Sequence, residues 1–489
     1  MNEARSRAGA RRRIARHPRN IRRHATNFWP VPVLSFSSEI FRQYDIRGIV
    51  GETIDADVAR ATGKAFATTV GERTGDARPR VVVGSDNRPS SDGLADALSH
   101  GICSAGGRVI RLGTVPTPVT YWAERELEAD GGVQITGSHN PAEWNGIKMT
   151  IGGRPFHGDG IQELRRRIDE GGAARGPGSQ ECVEVLDRYV ADIAGRFEGI
   201  DPLRVVVDCG NASGALTAVP VLEAIGAEVV PLYCELDGTF PNHHPDPTVD
   251  ENIVDLAARV RETGADLGVG FDGDADRIGV VDETGTVVRG DILLLLFGLE
   301  VLERRGPGQK LVFDVKCSQA LPRVFEAAGG VPVMWATGHS LIKEKMHAAG
   351  AIIGGELSGH ICFADEFIGV DDAVYAACRL LRLLASSGRS LSALVADLPR
   401  YSSTPEYRIE VAEHIKRDIA EAAREHFSRS HEVIAVDGAR ILFDGGWGLL
   451  RASNTQPVLA ARYEADTDAR LGEIQGEVED WLRARGVDV

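Results

Sequence analysis

Gly132-Val-Gln-Ile-Thr136-Gly-Ser138-His139-Asn140-Pro141 is the stretch from which the fold can be read. Its first five residues suit a buried strand. The strand runs into a glycine turn that holds up a hydroxyl at Ser138. Toward the N-terminus, residues 119–128 have helical spacing, 108–112 read as a strand, 94–105 as a helix and 80–84 as a second buried strand. Residues 56–69 are again helical, and 39–48 read as an opening strand and turn. This alternation predicts a layered α/β domain with a largely parallel sheet. Ligands in such sheets sit at the carboxyl ends of strands, the edge where Ser138 would stand.

The alternation repeats downstream. Strands at 204–208, 228–232 and 267–271 flank helices at 215–225 and 252–263, and the last strand delivers Asp272-Gly-Asp274-Ala-Asp276-Arg277. A third run has helices at 292–304 and 318–328, with strands at 311–316, 331–335 and 351–355. Its strand exits carry Thr337-Gly-His339-Ser340 and Glu356-Leu357-Ser358-Gly-His360. The end of the chain differs. Strands at 407–411, 441–443, 447–452 and 458–463 cluster, with helices apart at 414–426 and 469–485, as in an α+β domain. The glycine-rich stretch 171–178 reads as an exposed loop or boundary near the end of the first unit. The expected division is an Arg-rich extension at 1–36, three similar mixed-sheet α/β units at 37–184, 185–286 and 287–398, and an α+β unit at 399–489.

The net charge is −16, yet residues 1–23 hold nine Arg, no Lys and one Glu, which leaves the remainder near −24. An acidic body argues against nucleic-acid binding, and an anionic substrate must meet a local basic patch. The arm lacks the apolar stretch of a secretory signal and is expected to be disordered. Seven cysteines without a CxxC fit a reduced, cytoplasmic protein better than a disulfide scaffold. The longest apolar run, 292–302, is too short for a membrane span.

Carboxylates at 272, 274 and 276 fall on one side of a turning segment, where like charges repel unless a cation intervenes. All-oxygen ligands favour Mg²⁺ or Ca²⁺. An EF-hand is excluded by Arg277 at the position that needs glycine. The overlapping GxGxxG is accidental, because an acidic mouth repels a pyrophosphate. A solvated acidic turn and a haloacid-dehalogenase-like transferase, with Asp272 as the phosphorylated residue, are the competing readings. Ser138 alone would be a turn or an N-cap. Lys148 and the acidic loop make it a candidate phosphoserine whose charge is shared by Mg²⁺ and a cation. Arg451-Ala-Ser453-Asn454-Thr455 suits a phosphate dianion or a plain polar hairpin. Glu356 and Ser358 suit sugar hydroxyls or an exposed turn. His339 and His360 read as structural or catalytic.

Taken together, TGSHNP, DGDADR, GELSGH and RASNT resemble the four loops of the α-D-phosphohexomutases, and the phosphomannomutase/phosphoglucomutase branch in particular. FRQYDIRG (41–48), PNHHPDP (241–247), FDVKCS (313–318) and TGHSLIK (337–343) extend the resemblance over residues 36–489. It implies four domains around a central cleft, the first three alike. It also implies a mutase that interconverts hexose 1- and 6-phosphates through phosphoserine at Ser138 and a glucose 1,6-bisphosphate-type intermediate. Mg²⁺ would be held by Asp272, Asp274, Asp276 and Ser138. Arg277, Lys148 and Arg47 would surround the phosphoryl, and Tyr44, Lys316, His339 and His360 would line the cleft. Glu356 and Ser358 would meet the sugar, and Arg451, Ser453, Asn454 and Thr455 its phosphate. The general base is open among Lys148, His339 and His139, with Lys148 placed first. A monomer or weak dimer is expected. Leu357 stands where the branch usually has Met and phosphoglucosamine mutases have Gln. Thr136-Gly137 also differs from the Ser-Ala of the latter. Both favour mannose or glucose over glucosamine and leave the choice between the first two open. A phosphoglucosamine mutase, an aspartyl-phosphate enzyme at Asp272 and a non-catalytic sugar-phosphate binder are the alternatives.

Overall fold

The computed structural model describes residues 36–197, 199–453 and 458–489. In the first unit the strands lie in the order Ile46–Ile49, Trp144–Ile151, Gly131–Ile135, Arg80–Ser85, Arg108–Thr114 and Ser179–Cys182, with Arg154–Pro155 paired beside Trp144–Ile151. The central strands are parallel, and Val81, Val82 and Val83 are fully buried because helices cover both faces. Gly131–Ile135 then turns back, pairing antiparallel with Trp144–Ile151 so that Gln134 faces Lys148. The sheet is therefore mixed, as expected of three similar mixed-sheet α/β domains, and the Ser138 loop is the turn of its hairpin. Ser179–Cys182 rejoins the same sheet, so the glycine-rich 171–178 stretch is a loop inside this unit.

The next two units repeat the device. Parallel strands Glu228–Leu232, Arg204–Asp208 and Leu267–Phe271 are followed by an antiparallel return, Ile278–Asp282, with Phe271 opposite Ile278. The acidic loop is that hairpin's turn. In the third unit Val331–Trp335, Lys310–Asp314 and Ile353–Gly355 are parallel, and Ile361–Phe363 returns from the Glu356–His360 turn. The Ser138, acidic and Glu356–His360 loops thus each mark the place where parallel pairing gives way to an antiparallel return.

The last unit is antiparallel. Ser402–Ser403, Val458–Ala465, Gly446–Ala452, Ala439–Phe443 and Glu432–Ile434 form the sheet, and Tyr407–Glu410 also pairs with Val458–Ala465. Helices Lys416–Phe427 and Asp468–Arg483 cover it through a core of its own. One apolar cluster runs continuously from Val82 to Leu398 through the first three units. The fourth is joined by a small cluster of Val315, Trp447 and Leu449.

Several element starts differ from expectation. The opening strand is confined to Ile46–Ile49, after a 3-10 turn at Ser38–Ile40. The helices expected at 215–225 and 252–263 begin as 3-10 turns, Ser213–Leu216 and Asp250–Ile253, before Ala218–Ala224 and Val254–Thr263. Cys209, Cys317, Cys362 and Cys378 are buried, Cys103 and Cys234 half-buried, and Cys182 exposed; all are free thiols. The longest apolar run lies in helix Gly290–Arg305, and no described helix is long and apolar enough to cross a membrane.

Candidate active site

Ser138 sits at φ +49°, a conformation costly for a side chain, and is 2% exposed. Two residues absent from the sequence reading impose it. Asp86 and Arg88 form a buried pair at 3.0 Å. Asp86 accepts from Thr136 Oγ1 and Gly137 N, and Thr136 Oγ1 in turn accepts from Ser138 N. The Arg88 guanidinium donates to the carbonyls of Ser138, Asn140, Pro141 and Trp144. Five donors in a fixed fork thus satisfy a tight turn from one side. Arg47, paired with Asp45, donates to Gly137 O at 3.0 Å.

The acidic loop comes up against this turn. Ser138 Oγ donates to Asp272 Oδ2 at 2.9 Å and is 3.1 Å from His139 Nδ1. A Cβ added to Gly273 would lie 2.3 Å from Ser138 O, so only glycine permits the approach. Asp272, Asp274 and Asp276 are fully buried, with ligand oxygens within 4.8 Å of one another. Lys148 Nζ lies 2.7 Å from Asp274 and 2.5 Å from Asp276. Thr117, another residue not anticipated, donates to Asp274 through its hydroxyl and to the Asp274 carbonyl through its N–H. Burial, then Asp276 and Asp274, push the Asp272 carboxyl well up. Burial would raise Asp274 too, but the Lys148 cation outweighs it and holds that carboxyl low. Those attractions win over desolvation of Lys148 as well and keep it a cation. Asp274 Oδ1 and Asp276 Oδ1 are buried without a hydrogen-bond partner. Three carboxylates, with Lys148 on two of them, Arg277 3.9 Å from Asp272 and two orphaned oxygens, fit a divalent cation.

The third loop closes on the same point. Ile278 N donates to Gly359 O, and Arg277 Nε donates to His360 Nε2 at 3.0 Å. His339 and His360 stack, ring centroids 5.0 Å apart. Both Nδ1 atoms approach Asp371, which also holds Lys343 at 2.7 Å. Asp276, His339, His360 and Asp371 form a second cluster of ligand atoms within 4.8 Å, in which Lys343 already supplies positive charge. His139 is kept neutral by burial and then by Arg277, Arg47 and Lys148.

The remaining candidates lie farther along. Tyr44 donates to Thr337 O, and Glu356 accepts from Gly338 N while burial raises its carboxyl. Ser358 is half-buried beside it. Lys316 pairs with Glu406 at 3.0 Å. Arg451 pairs with Asp437, which also accepts from Thr337 N. Ser453 is 9% exposed; Asn454 and Thr455 lie outside the described residues. Ser138, His139, Arg47, Lys148, the three aspartates, Arg277, His339 and His360 therefore share one contact network, and Tyr44, Glu356 and Arg451 meet at the 337–338 turn.

Four family profiles match this chain. They are phosphoglucomutase/phosphomannomutase alpha/beta/alpha domains I, II and III at residues 38–175, 187–285 and 289–401, and the C-terminal domain at 406–480. The chain belongs to the phosphoglucomutase/phosphomannomutase family. Within that family it is similar to a Pseudomonas aeruginosa protein named phosphomannomutase/phosphoglucomutase, 45% identical over 91% of this chain and 96% of that protein. A Neisseria gonorrhoeae phosphoglucomutase is 41% identical over 90% of this chain and 96% of its own. The crystal structure of a phosphoglucomutase/phosphomannomutase family protein from Burkholderia thailandensis superposes with a TM-score of 0.86 at 42% identity, covering 93% of this chain and 99% of that one.

Proposed function

We infer that the protein is a phosphohexomutase that moves a phosphoryl group between O1 and O6 of a hexose phosphate through Ser138. The observation that carries this is the Ser138 hydroxyl held at positive φ, 2.9 Å from Asp272, against a buried carboxylate trio with two unpartnered oxygens. The carboxylate trio and phosphorylated Ser138 would hold Mg²⁺, which when bound neutralises phosphoryl oxygens. Arg47 and Lys148 add positive charge to the phosphoserine side of the site, and Arg277 to the sugar side. Phosphoserine gives its phosphoryl to the free hydroxyl of a hexose 1- or 6-phosphate, as the P–Oγ bond breaks and a bond to the sugar oxygen forms. The bisphosphate, of the glucose 1,6-bisphosphate type, reorients in the cleft and returns its other phosphoryl to Ser138. Lys148, placed first as a base from sequence, is tied as a cation between Asp274 and Asp276, so its role is electrostatic. The base role falls to the His339/His360 pair. Glu356 and Ser358 would select sugar hydroxyls, and Arg451 with Ser453, Asn454 and Thr455 would anchor the non-reacting phosphate, with Tyr44 and Lys316 on the path between. The functional units run 37–184, 185–286, 287–398 and 399–489.

The test is a mutase assay on purified protein primed with glucose 1,6-bisphosphate. Mannose 1-phosphate, glucose 1-phosphate and glucosamine 1-phosphate are compared, with Ser138→Ala alongside. Turnover of the first two, lost in Ser138→Ala, is expected. Turnover of glucosamine phosphate alone would move the substrate class. Phosphate release without isomerisation, surviving in Ser138→Ala with a hydroxylamine-labile protein phosphate, would overturn the mechanism in favour of Asp272.

A further inference from the structure

His339 and His360 come from different loops yet stack with planes 17° from parallel. Asp371 lies against both, fully buried, on the turn before helix Ala373–Ser387. Its Oδ2 is 3.0 Å from His339 Nδ1 and 3.2 Å from His360 Nδ1. Neither approach is aligned as a hydrogen bond, so the contact is electrostatic. Its Oδ1 accepts from Lys343 Nζ at 2.7 Å, and that ammonium lies 4.5 Å from the centre of the Tyr121 ring. Burial alone would raise the Asp371 carboxyl, but Lys343 and the two imidazoles outweigh it and keep it ionised.

The proton positions follow from a donor that cannot accept. Arg277 Nε–H donates to His360 Nε2 at 3.0 Å. A guanidinium has no acceptor atom, so His360 Nε2 carries a lone pair and the ring proton is on Nδ1, toward Asp371. The rival acceptor, Asp276 Oδ1, is farther from that Nδ1, at 3.6 Å. His339 meets the same carboxylate oxygen through its own Nδ1. Burial first, then Lys343, pulls the His339 ring down to about 4.

We propose that Asp371 is the positioning residue of this site: one carboxylate oxygen, shared by two stacked imidazoles, keeps the proton of each on Nδ1, and because Arg277 already occupies the His360 Nε2 lone pair, His339 Nε2 is the proton-accepting atom. This rests on the mutase reading above. The attacking sugar oxygen bonds phosphorus, its proton passes to His339 Nε2, and Ser138 Oγ departs with the P–O bonding pair. In the return half Oγ attacks with that pair, and Nε2 gives the proton to the sugar oxygen that leaves. Asp371 faces the imidazolium formed between the two halves, which is the arrangement of a base oriented by a third group. Nothing in the sequence around Asp371 marks the feature, because its partners His339, Lys343 and His360 lie on other segments.

The test uses full-length protein labelled with ¹⁵N-histidine. Long-range ¹H–¹⁵N correlation tells a protonated from a bare ring nitrogen, and His339→Gln and His360→Gln assign the signals. Both rings should show Nδ1–H and bare Nε2 in the wild type. In Asp371→Asn that pattern should be lost, and kcat should fall about 10²–10⁴-fold, the range of acid–base assistance, with little change in KM. Asp372→Asn is the structural control. It is the buried neighbour bonded to Tyr189 rather than to the histidines, and should leave kcat unchanged. An Nε2–H pattern in active wild-type enzyme would overturn the proposal. So would an unchanged kcat in Asp371→Asn, a loss confined to KM, or an equal loss in both aspartate variants. Wild-type protein inert on hexose phosphates would instead sink the mutase reading, so the two failures are told apart.

Discussion

Gly273 is the residue on which two loops depend, because its missing Cβ leaves room for the Ser138 carbonyl. Gly273→Ala must push the acidic loop and the serine turn apart. The overpacking should cost about 1–3 kcal/mol. The displacement of reacting groups should cost about 10²-fold in kcat. Thermal unfolding and steady-state kinetics check both, and a variant with wild-type kcat would show that the approach is not needed. A second residue-scale prediction concerns Asp372, which accepts from Tyr189 Oη at 2.7 Å inside the core. Burial raises its carboxyl to about 6 from an ordinary value of 3.8. A folded pKa above the unfolded one means that the native state binds the extra proton. This group's contribution is therefore greatest below about pH 4 and is lost as pH rises through about 6. The shift corresponds to about 3 kcal/mol. Asp372→Asn should flatten the fall of Tm between those pH values, and an unaltered slope would assign the pH dependence elsewhere.

At the scale of elements, the strand Gly446–Ala452 both carries Arg451 and fastens the last unit. Trp447 is 1% exposed, donates to Glu464, packs with Val315 and lies beneath the Arg440 guanidinium, 3.8 Å from the ring centre. Arg440 in turn caps the Val315 and Cys317 carbonyls of the third unit. Trp447→Ala should cost about 3–5 kcal/mol, concentrated in this unit. Amides of Ala439–Phe443 and Gly446–Ala452 should then exchange faster while those of Gly131–Ile135 do not. KM should rise more than kcat falls, because Arg451 is displaced and Ser138 is not. The same scale explains what the sequence could and could not tell. Arg80–Ser85 and Arg204–Asp208 were legible because sheets covered on both faces need unbroken apolar runs. Trp144–Ile151 was not, since Asn145 and Lys148 interrupt the pattern while being buried themselves. Asn145 donates to Ser90 and Ser91, and Lys148 to Asp274 and Asp276. The four loops were legible as motifs because their chemistry is local. Arg88, Thr117 and Asp371 act on partners distant in sequence, and no periodicity reports that.

At the scale of the whole molecule, the acidic turn is where three units meet. Thr117 and Lys148 of the first unit hold Asp274, and Gly273 abuts Ser138. Ser213 Oγ and the Pro245 carbonyl of the second unit brace Gly273. From the third unit, Ala373 N donates to Ala275 O, and Gly359 O accepts from Ile278 N. With three buried carboxylates crowded at its centre and two of their oxygens unpartnered, this junction is strained without a cation and relaxed with one. Mg²⁺ should therefore stabilise the assembly of the first three units, by about 2.7 kcal/mol at a hundredfold excess over Kd. In EDTA, exchange protection should drop together in the turns at 136–141, 272–277 and 356–360. The separate core of the last unit predicts no change in Gly446–Ala452. Asp276→Asn should remove the response, whereas Ser138→Ala should keep it, because the carboxylates and not the hydroxyl supply most of the charge. A response confined to 272–277 would mean that the cation only organises its own loop, and that the continuous core alone holds the three units together.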